Sequence, residues 1–70
     1  MTSKLYDIPN NSKIVATIQE HGKEQRKATI TFHHLDGMYS YCTIDDTNEV
    51  VHIGASAELE LLDDGTYKLI

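Results

Sequence analysis

The residues of this chain that could do chemistry are concentrated in one short stretch, ITFHHLDGMYSYCTI, at residues 30–44. It holds two of the four histidines, two of the four tyrosines, the single phenylalanine and the single cysteine. A cysteine beside a histidine can serve as a nucleophile with its base, and both side chains bind zinc. The same composition is also typical of the two strands of a β-hairpin, in which aromatic and β-branched residues are frequent.

The dipeptide Asp36-Gly37 predicts the turn of this hairpin, because two-residue hairpin turns favour residues that tolerate positive φ. In that register Phe32 pairs with Tyr41 on the opposite strand. Side chains alternate between the two faces of a sheet, so His33 and His34 are expected to point in opposite directions. One face is then predicted to carry Ile30, Phe32, His34, Tyr39 and Tyr41.

This geometry argues against catalysis and against a metal site. His33 and Cys42 share a predicted face, but no two ligands have the C-x-x-C or H-x-x-x-H spacing of a zinc motif. A cysteine in a central strand is more often a small buried hydrophobic residue than a nucleophile. We therefore expect no catalytic residue, no metal and no cofactor, in a protein that is not an enzyme.

The rest of the chain has the pattern of an all-β protein with short connections. KIVATIQE alternates Ile14, Ala16 and Ile18 on one face, and AELELL alternates glutamate with leucine, so both segments are predicted strands. The sequence Asp63-Asp64-Gly65 predicts a second hairpin turn. Together these signals predict a small SH3-like or related open β-barrel of five to six short strands.

Seventy residues leave room for one domain, which we expect to span residues 1–70. Within it, residues 1–12 are predicted to form an N-terminal turn or arm, because Pro9 and the asparagines that follow it are turn residues. No segment approaches the ~20 consecutive apolar residues that cross a membrane. A lone cysteine is typical of a reducing compartment, so we expect a cytoplasmic protein.

The formal charge of the chain is −5, and it is unevenly distributed. Residues 1–27 carry five bases and three acids, whereas residues 45–70 carry seven acids and one lysine. Nucleic acid binding needs clustered lysine and arginine, so this distribution argues against it and favours a protein partner with a basic surface. The residues expected to bind that partner are His34, Asp36 and Tyr39 beside the turn, and Asp45, Asp46, Asp63 and Asp64 in the acidic region.

Two other functions are compatible with this sequence. A nucleotide or a short single strand could stack on an aromatic face formed by Phe32, Tyr39 and Tyr41. The chain could also be a structural subunit that forms a homo-oligomer, because a domain this small buries only about 60% of its unfolded surface.

Three segments, DIPNNSKI, TFHHLDGMYSYC and VVHIGASAELEL, resemble small accessory proteins of large tailed bacteriophages. The resemblance covers most of the chain and includes no catalytic motif. It implies a non-enzymatic protein, made in the cytoplasm of an infected bacterium, that modulates a host protein by binding to it. The size and number of strands also resemble those of SH3-like barrels, which serve as scaffolds for many kinds of contact.

Overall fold

The computed structural model describes residues 2–19, 22 and 24–70 and is built almost entirely of β-strands. This confirms the all-β prediction. The described part has one helix, a 3-10 helix of three residues (Leu5–Asp7), and it contains no helix long and apolar enough to cross a membrane. The strands are β1 (Thr2–Lys4), β2 (Lys13–Gln19), β3 (Gln25–Asp36), β4 (Tyr39–Ile44), β5 (Val50–Val51), β6 (Glu58–Leu61) and β7 (Tyr67–Leu69).

All seven strands belong to one mixed sheet in the order β1-β6-β7-β2-β3-β4-β5. β2 and β7 are parallel, and every other neighbouring pair is antiparallel. β1 and β5 are the two edges, so the sheet is not closed into a barrel. The open barrel of five to six strands was thus predicted with too few strands, since the sheet has seven.

The additional strand is β1, which lies in the segment predicted as a turn or arm. Three residues are too few to show a period-two pattern, and β1 is fixed by pairing with β6, more than fifty residues later in the chain. The turn expected around Pro9 is present and lies between the 3-10 helix and β2, where the Ser12 N–H donates to the Pro9 carbonyl. The second predicted hairpin is also present, as β6 and β7.

The core covers one face of the sheet. On β2 the predicted alternation is confirmed, because Ile14 and Ala16 are buried. Leu5 and Ile8, from the 3-10 helix and the residue after it, add to the same core. We call this face of the sheet the inner face and the opposite one the outer face. The buried core consists of Leu5, Ile8, Ile14, Ala16, Ala28, Ile30, Phe32, Cys42, Ile44 and Leu59.

The turn of the β3–β4 hairpin lies one residue later than predicted, at Gly37 and Met38, and Asp36 pairs with Tyr39. If Asp36 and Gly37 formed a type I′ turn, both residues would need positive φ. In the structure Gly37 has φ of 65°, and Met38 is not among the residues with positive φ. A glycine in the first of the two central positions is the pattern of a type II′ turn, which a methionine can complete.

The later turn changes which residues face each other deeper in the hairpin. The later turn alone would pair Phe32 with Thr43, and a β-bulge at His33, which leaves one residue of β3 unpaired, shifts this pairing back by one residue. Phe32 therefore pairs with Cys42 and not with Tyr41. A shift of one residue moves every side chain of a strand to the other face. Cys42 therefore joins Phe32 in the core, and Tyr41 faces outward. The prediction that Ile30 and Phe32 share a face with Tyr39 and Tyr41 is wrong.

Candidate functional site

The bulge in β3 brings both adjacent histidines to the outer face, where they contact Tyr41. The His34 and Tyr41 rings are stacked, with centroids 5.4 Å apart and planes 6° from parallel. The His33 ring lies 5.3 Å from the Tyr41 ring in a tilted arrangement. A bulge sets two residues of one strand opposite a single residue of the other, which re-aims side chains. The expectation that these histidines point in opposite directions is therefore wrong.

A third histidine approaches Tyr41 from the other side. His52, which follows β5, packs its ring edge-on at 6.5 Å from the Tyr41 ring. Its Nδ1 donates to the Ser40 carbonyl at 2.9 Å, and the Nδ1 of His34 donates to the Leu35 carbonyl at 3.0 Å. A carbonyl only accepts, so both Nδ1 atoms carry a proton.

The hairpin end brings together three of the predicted binding residues, His34, Asp36 and Tyr39. Asp36 and Tyr39 pair across the turn and line an open depression together with His52. Tyr39 is 60% exposed and Met38 is 83% exposed, which leaves two large side chains in solvent beside the depression. This end of the sheet therefore exposes flat aromatic, thioether and carboxylate groups.

The predicted aromatic ligand face does not form as one surface. Phe32 is 1% exposed and lies in the core on the inner face. Tyr39 and Tyr41 lie on β4 with their side chains toward the outer face, and one side of the Tyr41 ring is already covered by His34. Of the three rings, Tyr39 is the one that is mainly exposed for stacking.

The four predicted acidic contact residues are separated into two pairs. Asp45 and Asp46 follow β4, whereas Asp63 and Asp64 lie in the β6–β7 turn, and β2 and β3 stand between β7 and β4 in the sheet. The first pair is largely engaged within the chain. Asp46 forms an ion pair with Arg26 at 2.8 Å, and Asp45 forms one with Lys13 at 2.9 Å. These carboxylates are therefore not free cation-binding groups.

Asp64 is engaged in its own turn. It accepts hydrogen bonds from the backbone N–H of Thr66 at 2.9 Å and from the Thr66 hydroxyl. These bonds hold the pKa of the Asp64 carboxyl below its usual value, because they favour the charged form. Asp63 forms no ion pair with any other described residue, and it is the least constrained of the four.

Asp45 belongs to a small polar network on the outer face. The Thr31 hydroxyl donates to one carboxylate oxygen, and Lys13 Nζ donates both to the other oxygen and to the Thr31 hydroxyl. The hydrogen bond from Thr31 and then that from Lys13 lower the pKa of the Asp45 carboxyl. The network joins β2, β3 and the end of β4, so it stabilises the middle of the sheet.

We expect the Asp45→Asn variant to be less stable than wild type at pH 7 by about 0.5–1 kcal/mol, the upper part of the range for exposed ion pairs. A carboxylate whose pKa is lowered by folding stabilises the fold above its unfolded pKa, near 3.9, and this contribution is lost as pH falls through the folded pKa. The difference in stability should therefore shrink between about pH 5 and pH 2. Urea denaturation across this range measures it.

The Asp63→Asn variant is the matched control for this experiment. It removes the same charge from an exposed aspartate without an ion pair in the described part of the chain. We expect its stability to stay within about 0.5 kcal/mol of wild type at pH 7. Equal losses for the two variants would mean that net charge, and not the network with Thr31 and Lys13, determines the effect.

Ser40 holds the chain after β5 against β4. The Ser40 hydroxyl is completely buried, donates to the Ile53 carbonyl at 2.8 Å and accepts from the Ile53 N–H at 3.2 Å. It also lies 3.2 Å from the Cys42 sulfur. Burial raises the pKa of the Cys42 thiol, which keeps it protonated at neutral pH and unreactive as a nucleophile.

Two residues of this region, Ser40 and His52, were not among the predicted binding residues. The alternation Tyr-Ser-Tyr-Cys identifies Ser40 as inward-facing once the bulge at His33 sets Cys42 opposite Phe32. Within the described residues, no three His, Cys, Asp or Glu side chains are arranged to hold a metal ion. The chain has no significant match to a protein-family model, to a curated protein or to a solved structure.

Proposed function

We propose that this is a non-enzymatic binding protein that contacts another protein through the exposed end of its β3–β4 hairpin. The observation that carries the proposal is the concentration of exposed side chains there. Met38 and Tyr39 stand in solvent, with Asp36 and His52 beside them. Tyrosine and methionine are enriched at protein interfaces because they give a large contact area.

The hairpin end is also held in place, which favours binding. His52 Nδ1 and the Ser40 hydroxyl fix the chain after β5 against β4, and Tyr39 forms a bridge to Gly54. A contact surface that is ordered before binding loses less conformational entropy when a partner arrives.

Fewer of the carboxylates that the sequence predicted as contacts are without an ion pair in this structure. Asp45 and Asp46 are neutralised by Lys13 and Arg26, so Asp36, Asp63 and Asp64 are the predicted carboxylates with no ion pair to a described residue. Of these three, Asp64 is hydrogen-bonded to Thr66 in its own turn. We propose a basic partner surface that meets Asp36 together with the apolar hairpin end. If the bacteriophage resemblance is correct, that partner is a host protein in the bacterial cytoplasm. An SH3-like relationship of the sheet is likewise a proposal, based on its size and short strands.

We expect the double variant Met38→Ser, Tyr39→Ser to retain about one tenth, or less, of the partner that wild type retains. The reason is that central aromatic residues dominate the binding energy at interfaces. Tagged wild type and variant are incubated with nuclease-treated bacterial lysate, and retained proteins are quantified by mass spectrometry. Thermal unfolding checks that the exposed substitutions leave the fold intact.

The control variant is Asp63→Asn, Asp64→Asn, which changes the β6–β7 turn and no residue of the β3–β4 hairpin. It should retain the partner as wild type does. Equal retention by the hairpin variant would contradict the proposed surface. Retention of nucleic acid in untreated lysate would favour the nucleotide-binding alternative, and an oligomer that forms with rising concentration and binds no host protein would favour the structural subunit.

A further inference from the structure

Three separate segments of the chain meet at Ala55. Its N–H donates to the Met38 carbonyl at 2.9 Å, and its carbonyl accepts from the Tyr6 N–H at 3.1 Å. The Leu5 N–H donates to the Ala57 carbonyl at 2.9 Å. The 3-10 helix is therefore joined to the hairpin turn by backbone hydrogen bonds on both sides of one residue, in addition to the packing of Leu5 in the core.

Met38 and Tyr6, which are joined through Ala55, carry two of the most exposed large apolar side chains. Met38 is 83% exposed and Tyr6 is 51% exposed. Single exposed apolar residues are ordinary on a protein surface, whereas a cluster of them marks an interaction site. The connection through Ala55 places Tyr6 beside the hairpin end, although the sequence separates it from Met38 by about thirty residues.

The charged groups without an ion pair beside Tyr6 and Met38 are negative. Asp7 and Asp36 are exposed, and neither forms an ion pair with a described residue. Residues 5–9, 35–39 and 53–57 contain no lysine or arginine. The adjacent Lys4 is engaged by Glu58 at 2.9 Å. An apolar surface bordered by uncompensated carboxylates is complementary to a surface that carries both apolar and cationic side chains.

We propose that Tyr6, Asp7, Asp36, Met38 and Tyr39 form one composite docking surface, and that its occupant is a basic segment of another protein with interspersed apolar side chains. This inference rests on the proposed function and extends it. It adds the 3-10 helix to the contact surface, and it assigns a chemical character to the segment that binds there.

The test is an NMR titration of the ¹⁵N-labelled protein with two acetylated and amidated decapeptides, one of alternating arginine and leucine and one of alternating glutamate and leucine. The arginine peptide should shift the amide signals of residues 5–7 and 35–39 together, with one saturable curve. The glutamate peptide should shift them at least about fivefold more weakly, because it meets the carboxylates with like charge.

Two variants separate the composite surface from the hairpin alone. Tyr6→Ser should weaken the binding of the arginine peptide at least about fivefold, the loss expected for an interface residue worth more than 1 kcal/mol. Leu61→Ser is the matched control, because Leu61 is 50% exposed and lies on β6, outside the three segments. It should leave the affinity unchanged.

Each other outcome overturns a definite part of the proposal. Shifts limited to residues 35–39, with Tyr6→Ser binding as wild type, would refute the composite surface and leave the proposed function standing. Shifts in neither segment would refute both. Equal binding of the glutamate peptide would refute the basic occupant. Shifts of residues 5–7 and 35–39 on concentrating the protein alone would show that a second copy of this chain is the occupant instead.

Discussion

The Phe32→Ala variant should lose about 3–5 kcal/mol of unfolding free energy, the usual cost of truncating a buried phenylalanine. Phe32 is the largest of the fully buried side chains and is 1% exposed. It lies beside the bulge, and its backbone bonds to the turn before β2, since the Phe32 N–H donates to the Ser12 carbonyl at 2.9 Å. Removing the ring leaves a cavity where β3, β4 and this turn meet.

Urea denaturation followed by circular dichroism measures this loss. Small domains have total stabilities of about 5–15 kcal/mol, so this loss is a large fraction of the total. Phe32→Leu keeps most of the buried volume and should fold with a smaller loss. Tyr39→Ala removes an aromatic ring that is 60% exposed and should change stability by no more than about 0.5 kcal/mol. Similar losses for Phe32→Ala and Tyr39→Ala would contradict the register of the hairpin.

The second large effect is expected at Ser40. The Ser40→Ala variant should lose about 1 kcal/mol, the lower end of the cost of leaving a buried polar group without its hydrogen bond, because the group concerned is partly buried. The group concerned is the Ile53 N–H, which donates to the Ser40 hydroxyl at 3.2 Å. The Ile53 carbonyl keeps a partner, because it also accepts from the Ser40 N–H at 2.9 Å. The loss of stability should therefore come mainly from one unpaired donor, the Ile53 N–H.

Thr47→Ala provides a control with the same chemistry on the surface. The Thr47 hydroxyl also accepts from a backbone N–H, that of Glu49 at 3.3 Å, but the bond is exposed and water can replace it. We expect this variant to lose no more than about 0.5 kcal/mol. Hydrogen exchange adds a local measurement, since the Ile53 amide should exchange faster in Ser40→Ala. Unchanged exchange there would show that the hydroxyl does not hold this segment.

Local patterns in the sequence predicted the strands well. Alternation at Ile14 and Ala16 marked the inner face of β2, and the turn signal at Asp63-Asp64-Gly65 marked the β6–β7 hairpin. These features depend on side-chain period and turn chemistry, which act over a few residues. β1 could not be predicted in this way, because three residues gain their strand conformation from a partner far along the chain.

The prediction of the candidate site depended on the position of the hairpin turn, which local sequence patterns leave open. Asp36-Gly37 and Gly37-Met38 are both acceptable two-residue turns, and the structure uses the second. That choice, together with the bulge at His33, places Tyr41 outward and Cys42 inward. The deciding factor is which residue of β4 fills the space beside Phe32, and this is a property of the packed core. Tyr39, which was predicted to contact a partner beside the turn, is exposed, because the end of a hairpin is exposed in either register.

The parallel pairing of β2 with β7 has a consequence for the order in which this chain folds. Ile14 and Tyr67 become neighbours only after about fifty residues of chain have been closed into a loop, at an entropic cost that no local contact offsets. The meander β2–β3–β4 and the hairpin β6–β7 can form separately, and the sheet becomes continuous when they meet. Proteins dominated by such distant pairings fold slowly. Until the two units pair, the edge of β2 that later binds β7 is exposed. A higher protein concentration during refolding therefore favours pairing between chains over formation of this sheet.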